Sequence, residues 1–174
     1  MRWEVYAMGL KLALAAVVIL SCALAGRAVA AGSLRRSRAL RQIMDGLQLL
    51  RIHMLDRSLP LPLALGQVQE PLMQAMAGAV EGKTCSAAWQ ETQARLCKKG
   101  AALDCLTGGD CLVLQNFFSA LGRGGREEQK RLFETALREL GRLEEEAALQ
   151  GQRQNRLYTS LGALAGAAVA VGFL

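Results

Sequence analysis

Two apolar runs lie at the ends of the chain. The first, Val5–Gly26, contains one charged residue, Lys11, and the second, Leu157–Leu174, contains none. As helices rising 1.5 Å per residue, the runs would reach about 33 Å and about 27 Å, which is comparable with the roughly 30 Å of hydrocarbon in a bilayer. We therefore predict a transmembrane helix within residues 1–31 and another at residues 157–174.

The intervening residues, 32–156, have the pattern of an all-α domain. Their apolar positions recur every three or four residues, and no segment alternates between apolar and polar residues as a strand would. Proline and glycine divide the domain into about six helices, which we expect to pack as an antiparallel bundle. The expected helices run from about Leu34 to Arg57, from Pro60 to about Gln69, from Pro71 to about Gly82, from a Thr84 cap, from an Asp110 cap and from about Arg126.

The largest side chains of this domain are expected in its core. Trp89 is a single tryptophan on a short predicted helix, and its burial would remove roughly 150–250 Å² from water. Phe117, Leu121 and Leu137 fall on the apolar stripes of the later helices. Because no proline follows Pro71, the last helix could run unbroken into the second apolar segment.

The placement of arginine predicts the orientation of the domain. The arginines on the domain side of the two apolar runs are Arg27, Arg35, Arg36, Arg38, Arg41, Arg153 and Arg156. Within the two runs and at the chain ends beyond them, the only positive residues are Arg2, which is opposed by Glu4, and Lys11 near the start of the first run. The positive-inside rule therefore predicts a cytosolic domain with both termini across the membrane. Residues 32–156 contain 18 Lys and Arg against 14 Asp and Glu, a balance too mild to indicate nucleic-acid binding.

An alternative interpretation is export. Ala28, Val29 and Ala30 satisfy the small-x-small pattern of a signal-peptide cleavage site. Cleavage there would leave an envelope protein whose domain lies outside and is anchored by the C-terminal helix. In that topology Arg153 and Arg156 would lie on the wrong side of the second span.

Four of the five cysteines fall in the middle domain: Cys85, Cys97, Cys105 and Cys111. Their separations of 12, 8 and 6 residues include no CxxC pair, which argues against a zinc knuckle. We expect reduced thiols in a cytosolic domain, while two disulfides in an exported domain and a metal site are the alternatives.

Catalytic chemistry is not indicated. His53 is the only histidine, and the chain contains no phosphate-binding glycine motif and no GxSxG. The run Glu144–Glu146 would face three directions on a helix, so we interpret it as a solvated patch. The sequence therefore predicts no catalytic, cofactor or metal site and favours an adaptor or assembly role.

Several motifs, in order and spacing, resemble the stage III sporulation protein AB family over nearly the whole chain. The C-terminal part, LGRGGREEQKRLFETALRELGRLEEEA followed by RLYTSLGALAGAAVAVGFL, carries the best match. Leu121, Gly122 and Gln129 fit the family's pattern, Gly125 stands at its usual aspartate, and SAAW supplies its tryptophan, Trp89. The resemblance implies that Gln129 belongs to the structural core.

The resemblance also implies a role in endospore formation. The family's channel links mother cell and forespore after engulfment, and its helical domain is similar to those of type II secretion and type IV pilus platform proteins. It implies as partners the other channel subunits and a cytosolic secretion-type ATPase. We therefore expect a non-enzymatic platform subunit, doubly anchored in the mother-cell membrane, with a homo-oligomer as a further option and no nucleic-acid partner.

Gly162, Gly166 and Ala170 form a stripe of small residues along the second apolar run. Lipid tails are as apolar as leucine, so helices associate in a bilayer by close packing, which small residues permit. We predict that Gly162→Ile with Gly166→Ile leaves insertion intact, because insertion follows hydrophobicity, but weakens association with a neighbouring span. A membrane two-hybrid signal unchanged by the double substitution would remove this packing face.

Overall fold

The computed structural model describes residue 32 and residues 34–173, with side chains described up to residue 153 and at residues 156, 157 and 160. Within this part of the chain the secondary structure is entirely helical. Helix α1 covers residues 34–51 and continues into a π-helical turn, Ile52–Asp56. The later helices are α2 (Leu61–Gln67), α3 (Pro71–Val80), α4 (Cys85–Leu96), α5 (Gly108–Ala120) and α6 (Arg126–Phe173). The prediction of an all-α fold with about six helices is confirmed.

The chain divides into two compact units. One is the helical domain, Arg35–Ala147, and the other contains Met1–Leu34 and Ala148–Leu174. Among the residues that the structure describes, we find no helix with both the length and the apolar character needed to span a bilayer. The first predicted span, Val5–Gly26, lies outside the described residues. At the second, the described backbone is helical as far as Phe173, and the side-chain environments of the Gly162, Gly166 and Ala170 stripe lie outside the description.

Helix α1 changes to π-helical geometry shortly before the predicted boundary at Arg57. The π-helical turn follows Arg51, and Ser58 then adopts a left-handed backbone conformation with φ of 52°. Pro60 has extended backbone and forms the N-cap of α2, and a proline disfavours helical backbone in the residue before it. The helical backbone is therefore interrupted between Asp56 and Leu61.

Two helix starts follow from local chemistry. The Glu70 carboxylate accepts a hydrogen bond from the Met73 amide at 2.9 Å, with Pro71 as the first residue of α3. The Thr84 hydroxyl accepts from the Ala87 amide at 3.3 Å and caps α4, as predicted. Such caps satisfy amide groups that have no partner within the helix.

Gly46 allows α1 to approach the start of α3 closely. A Cβ atom at this position would lie 3.2 Å from both Cβ and Cγ of Glu70 and 3.4 Å from Cγ of Met73. Helix α1 also approaches α6. A Cβ at Gly141 of α6 would lie 3.7 Å from the terminal methyl group of Met44 on α1. Helix α1 therefore packs against both α3 and α6.

Aromatic side chains join α4, α5 and α6. The Trp89 ring stacks on Phe118 with centroids 5.2 Å apart, and Phe118 meets Phe117 edge-on, also at 5.2 Å. Phe117 in turn contacts Phe133 of α6 edge-on at 5.1 Å. All four are buried, and Trp89 is 1% exposed. The fully buried residues of α1 that complete this core are Leu40, Ile43, Leu47 and Leu50.

Two expected core leucines occupy different environments. Leu121 is buried at the end of α5, whereas Leu137 is only partly buried at the edge of the core. On α6 the buried stripe is centred on Phe133, Ala136 and Leu140. Leu137 follows Ala136 by one residue, which turns it about 100° from Ala136 and places it at the edge of that stripe.

We predict that Trp89→Ala lowers the free energy of unfolding by about 3–5 kcal/mol, because the surrounding helices cannot fill the cavity. Trp89→Phe is the matched control. It keeps most of the ring contacts and removes an indole N–H that is buried without a hydrogen-bond partner among the described atoms, so it should cost much less. Urea unfolding of the detergent-solubilised chain, followed by circular dichroism, measures both. Equal losses for the two variants would contradict the role of Trp89 as a packing anchor.

Candidate functional site

The start of α5 positions the most buried carboxylate of the domain, Asp110. The Thr107 hydroxyl accepts a hydrogen bond from the Asp110 amide at 3.4 Å, and the Asp110 carboxylate accepts from the Thr107 amide at 2.8 Å. This reciprocal capping box makes Thr107 the cap. The prediction that Asp110 caps α5 is therefore wrong, and Gly108 and Gly109, expected to break the chain, lie inside the first turn. The TGGD spacing of hydroxyl and acid was the signal for this cap.

Asp110 also forms a two-pronged ion pair with Arg36 of α1. The Arg36 Nε lies 2.8 Å from one carboxylate oxygen, and its Nη2 lies 2.7 Å from the other. Burial would raise the pKa of Asp110, but the hydrogen bonds from Arg36 and Thr107 outweigh burial, and the pKa is lowered. The hydrogen bond to Asp110 likewise raises the pKa of Arg36. Both groups therefore stay charged, and α1 is held to α5.

A second carboxylate, Glu144, connects α1 to α6. It accepts hydrogen bonds from the Ser37 hydroxyl at 2.6 Å and from the Arg41 Nε at 2.9 Å. Glu144 is 8% exposed, whereas Glu145 and Glu146 are exposed. The interpretation of the three glutamates as a solvated patch is therefore wrong for Glu144, whose partners lie more than 100 residues earlier in the chain.

A third, more exposed pair joins Arg35 to Asp104 of the loop before α5, with 3.3 Å between Nη2 and Oδ1. We call the end of the domain that contains these three pairs the arginine end. In the sequence, these arginines predict only the membrane orientation. In the structure Arg35, Arg36 and Arg41 also pair with acids, while Arg38 is exposed. Residues from which the orientation is predicted thus also join the helices of the domain.

Gln129 closes the turn between α5 and α6. Its Oε1 accepts a hydrogen bond from the Gly122 amide at 3.0 Å, and its Nε2 donates to the carbonyls of Ala120 and Arg123. Gln129 is 7% exposed, so it lies at the boundary of the core, where it binds backbone groups. The turn requires glycine at Gly122, whose φ is 79°, because other residues rarely adopt this conformation.

Gly125, which stands at the usual aspartate position of the family pattern, is the residue before α6. The Glu128 carboxylate accepts a hydrogen bond from the amide of Gly125, the residue at the aspartate position, at 3.1 Å. A carboxylate at the positive end of a helix is favourable. Glu128 therefore satisfies the amide of Gly125, which is a different donor from the first-turn amides that an aspartate at position 125 would cap.

The four domain cysteines are free thiols that fall into two places. The Sγ atoms of Cys97 and Cys111 lie 3.9 Å apart at the junction of α4 and α5. Cys85 is at the opposite end of α4, about 18 Å from Cys97 along the helix. Burial, followed by the proximity of Cys111, raises the pKa of Cys97 to about 12. Burial likewise raises the pKa of Cys105.

The remaining candidate groups are dispersed. Within the described part of the chain, no three side chains of His, Cys, Asp or Glu are arranged to hold a metal ion. His53 lies in the π-helical turn, half-buried, and its Nδ1 has no hydrogen-bond partner among the described atoms. A groove of about 230 Å³ runs between α5 and α6 beside the exposed Leu112.

Comparison with known proteins identifies the family. A family model described as stage III sporulation protein AB matches residues 11–174. The chain belongs to the stage III sporulation protein AB family. A solved structure titled "Stage III sporulation protein AB" aligns with a TM-score of 0.57 and 23% sequence identity, covering 68% of this chain and 97% of that chain. This stage III sporulation protein AB structure therefore shares the fold. A search of curated proteins gives no match.

We predict that Arg36→Met lowers the free energy of unfolding by about 3–5 kcal/mol, because it leaves the buried Asp110 carboxylate without its partner. The neighbouring Arg35→Met, which removes an exposed pair, is the control and should cost about 1 kcal/mol or less. Asp110→Asn should recover part of the loss in the Arg36→Met background. Urea unfolding of the solubilised chain tests all of these variants.

Acidic pH should abolish the difference in free energy of unfolding between the wild-type chain and Asp110→Asn. Because folding lowers the pKa of Asp110, its stabilising contribution is present above the pKa of the unfolded state. It is lost as the pH falls through the lower pKa of the folded state. The stability difference between the wild-type chain and Asp110→Asn should therefore shrink in acid. A difference that stays constant from neutral to strongly acidic pH would contradict the pairing.

Proposed function

We propose that this chain is a non-enzymatic platform subunit of a sporulation channel that connects mother cell and forespore. The observation that carries the proposal is the family match over residues 11–174. That match begins inside the first apolar run and includes all of the second. It therefore covers the helical domain together with most of both proposed anchors.

The contacts of the domain support a scaffolding role. Its buried charged groups are used to join helices, as in Arg36–Asp110 and Arg41–Glu144. None of these carboxylates is paired with a histidine or a cysteine nucleophile in an arrangement that would support acid–base or covalent catalysis. In the described domain, the polar chemistry serves to fix helix positions.

We further propose that the chain is doubly anchored in the mother-cell membrane, with its domain in the cytosol. Two apolar runs of membrane-spanning length and the arginines beside them support this topology. The partners in this proposal are other subunits of the channel and a cytosolic secretion-type ATPase, since the chain itself carries no phosphate-binding glycine motif. A homo-oligomer within the platform belongs to the same proposal.

Deletion of the gene in its host should block spore formation after engulfment, and the full chain should restore it. His53→Ala should restore it equally well, because the only histidine has no catalytic role in this proposal. Heat-resistant spore counts and microscopy of engulfed forespores measure both effects. Normal spore counts after deletion would contradict the channel role. Failure of a folded, normally abundant His53→Ala chain would contradict the non-enzymatic assignment.

Protease treatment of intact protoplasts separates this topology from export after cleavage near Ala30. A cytosolic domain should stay intact until the membrane is permeabilised with detergent. Digestion of residues 32–156 before permeabilisation would favour the exported envelope protein. A cytosolic protein that remains intact and an exposed one that is cut serve as paired controls.

A further inference from the structure

The junction of α4 and α5 brings together two thiols that are 14 residues apart in sequence. Cys97 is the residue at which α4 ends, and Cys111 lies in the second turn of α5. Their sulfur atoms are 3.9 Å apart, so a disulfide of about 2.05 Å requires a further approach of about 2 Å. Both residues pack with the core of the domain.

We propose that Cys97 and Cys111 are a reversible modification site, a dithiol that low-molecular-weight disulfides convert into an intramolecular disulfide. This role is independent of the platform function and of the membrane topology. The ligand class is a small disulfide such as oxidised glutathione, which supplies the oxidising equivalents. The product would fix the end of α4 to the start of α5.

The exchange proceeds in two balanced steps. The thiolate of Cys97, the more exposed of the two residues, attacks one sulfur of the small disulfide, which forms a mixed disulfide and releases one small thiolate. The Cys111 sulfur then attacks the Cys97 sulfur of the mixed disulfide and displaces the second small thiolate. The two protein thiols are oxidised and the small disulfide is reduced. The two protons lost by the protein end on the two released thiols.

The other domain thiols are placed less favourably. Cys85 is separated from Cys97 by the length of α4, about 18 Å, and cannot reach it in the folded domain. Cys105 lies in the loop between the two helices and is the one competitor near the pair. Among the four described cysteines no thiol is seen in contact with Cys85, so two disulfides within the domain, the alternative for an exported domain, do not fit this arrangement.

Burial also sets the conditions under which the site reacts. Only the thiolate is nucleophilic, and the pKa of Cys97 is raised to about 12. A small fraction of Cys97 is therefore ionised at neutral pH, and the rate of exchange should rise as the pH increases from 7 to 9. The pair should stay reduced during brief oxidation at neutral pH and link on longer exposure.

The test uses the reduced, detergent-solubilised full chain, incubated with oxidised glutathione and then alkylated. Digestion with trypsin and an aspartate-directed protease separates the four thiols, because they fall in the fragments 84–95, 96–98, 104–109 and 110–123. Mass spectrometry should find fragments 96–98 and 110–123 linked at least tenfold more than any other pair. The same chain in concentrated urea should lose this preference.

Two variants provide matched controls. Cys105→Ser should form the Cys97 link to Cys111 at the wild-type level, whereas Cys111→Ser should reduce links to Cys97 at least tenfold. Circular dichroism checks that both variants are folded. A folded wild-type chain that links fragment 96–98 mainly to 104–109, that links fragment 84–95, or that forms no intramolecular link would overturn the proposal. The wild-type digest alone decides the matter if a variant does not fold.

Discussion

Asp110 and Glu144 are buried carboxylates, and a buried charge is stable only when a partner compensates for the lost water. In both cases the partner is supplied by the first turns of α1. Arg36 donates hydrogen bonds to both carboxylate oxygens of Asp110, and Ser37 and Arg41 donate to Glu144. These contacts fix the rotation and height of α1 against α5 and α6. As a result, the apolar stripe of α1 faces the core, and Gly46 lies close to Glu70 and Met73 at the start of α3.

The arginine end shows how one set of residues meets two physical demands. Arginines beside an apolar segment bias its orientation through their charge, and the same side chains can bind carboxylates through a rigid fork of donors. The Arg36 side chain is largely buried, whereas the side chains of Arg35 and Arg41 are mostly exposed to solvent. A count of positive charges beside the apolar runs therefore understates the role of these residues in the domain.

The sequence was informative where structure depends on near neighbours. Proline at position 71, the Thr84 hydroxyl and the apolar spacing of α1 act within one or two turns, and the helices begin and pack accordingly. Glu144 was misjudged because its environment is decided by residues on another helix. Leu137 packs against the core but is only partly buried, because a stripe shows which face is apolar but not where its centre lies. The ion pairs of the arginine end were not foreseen, since each joins residues at least 69 positions apart.

The long separation between Ser37 and Glu144 has a consequence for synthesis of the protein. Their contact joins residues 107 positions apart, and a ribosome adds about 5–20 residues each second. Helix α1 therefore leaves the ribosome about 5–20 s before its last partner is available. During this interval its buried leucines and isoleucine have no completed core to cover them. The nascent chain is then open to chaperones and to premature contacts with other emerging helices.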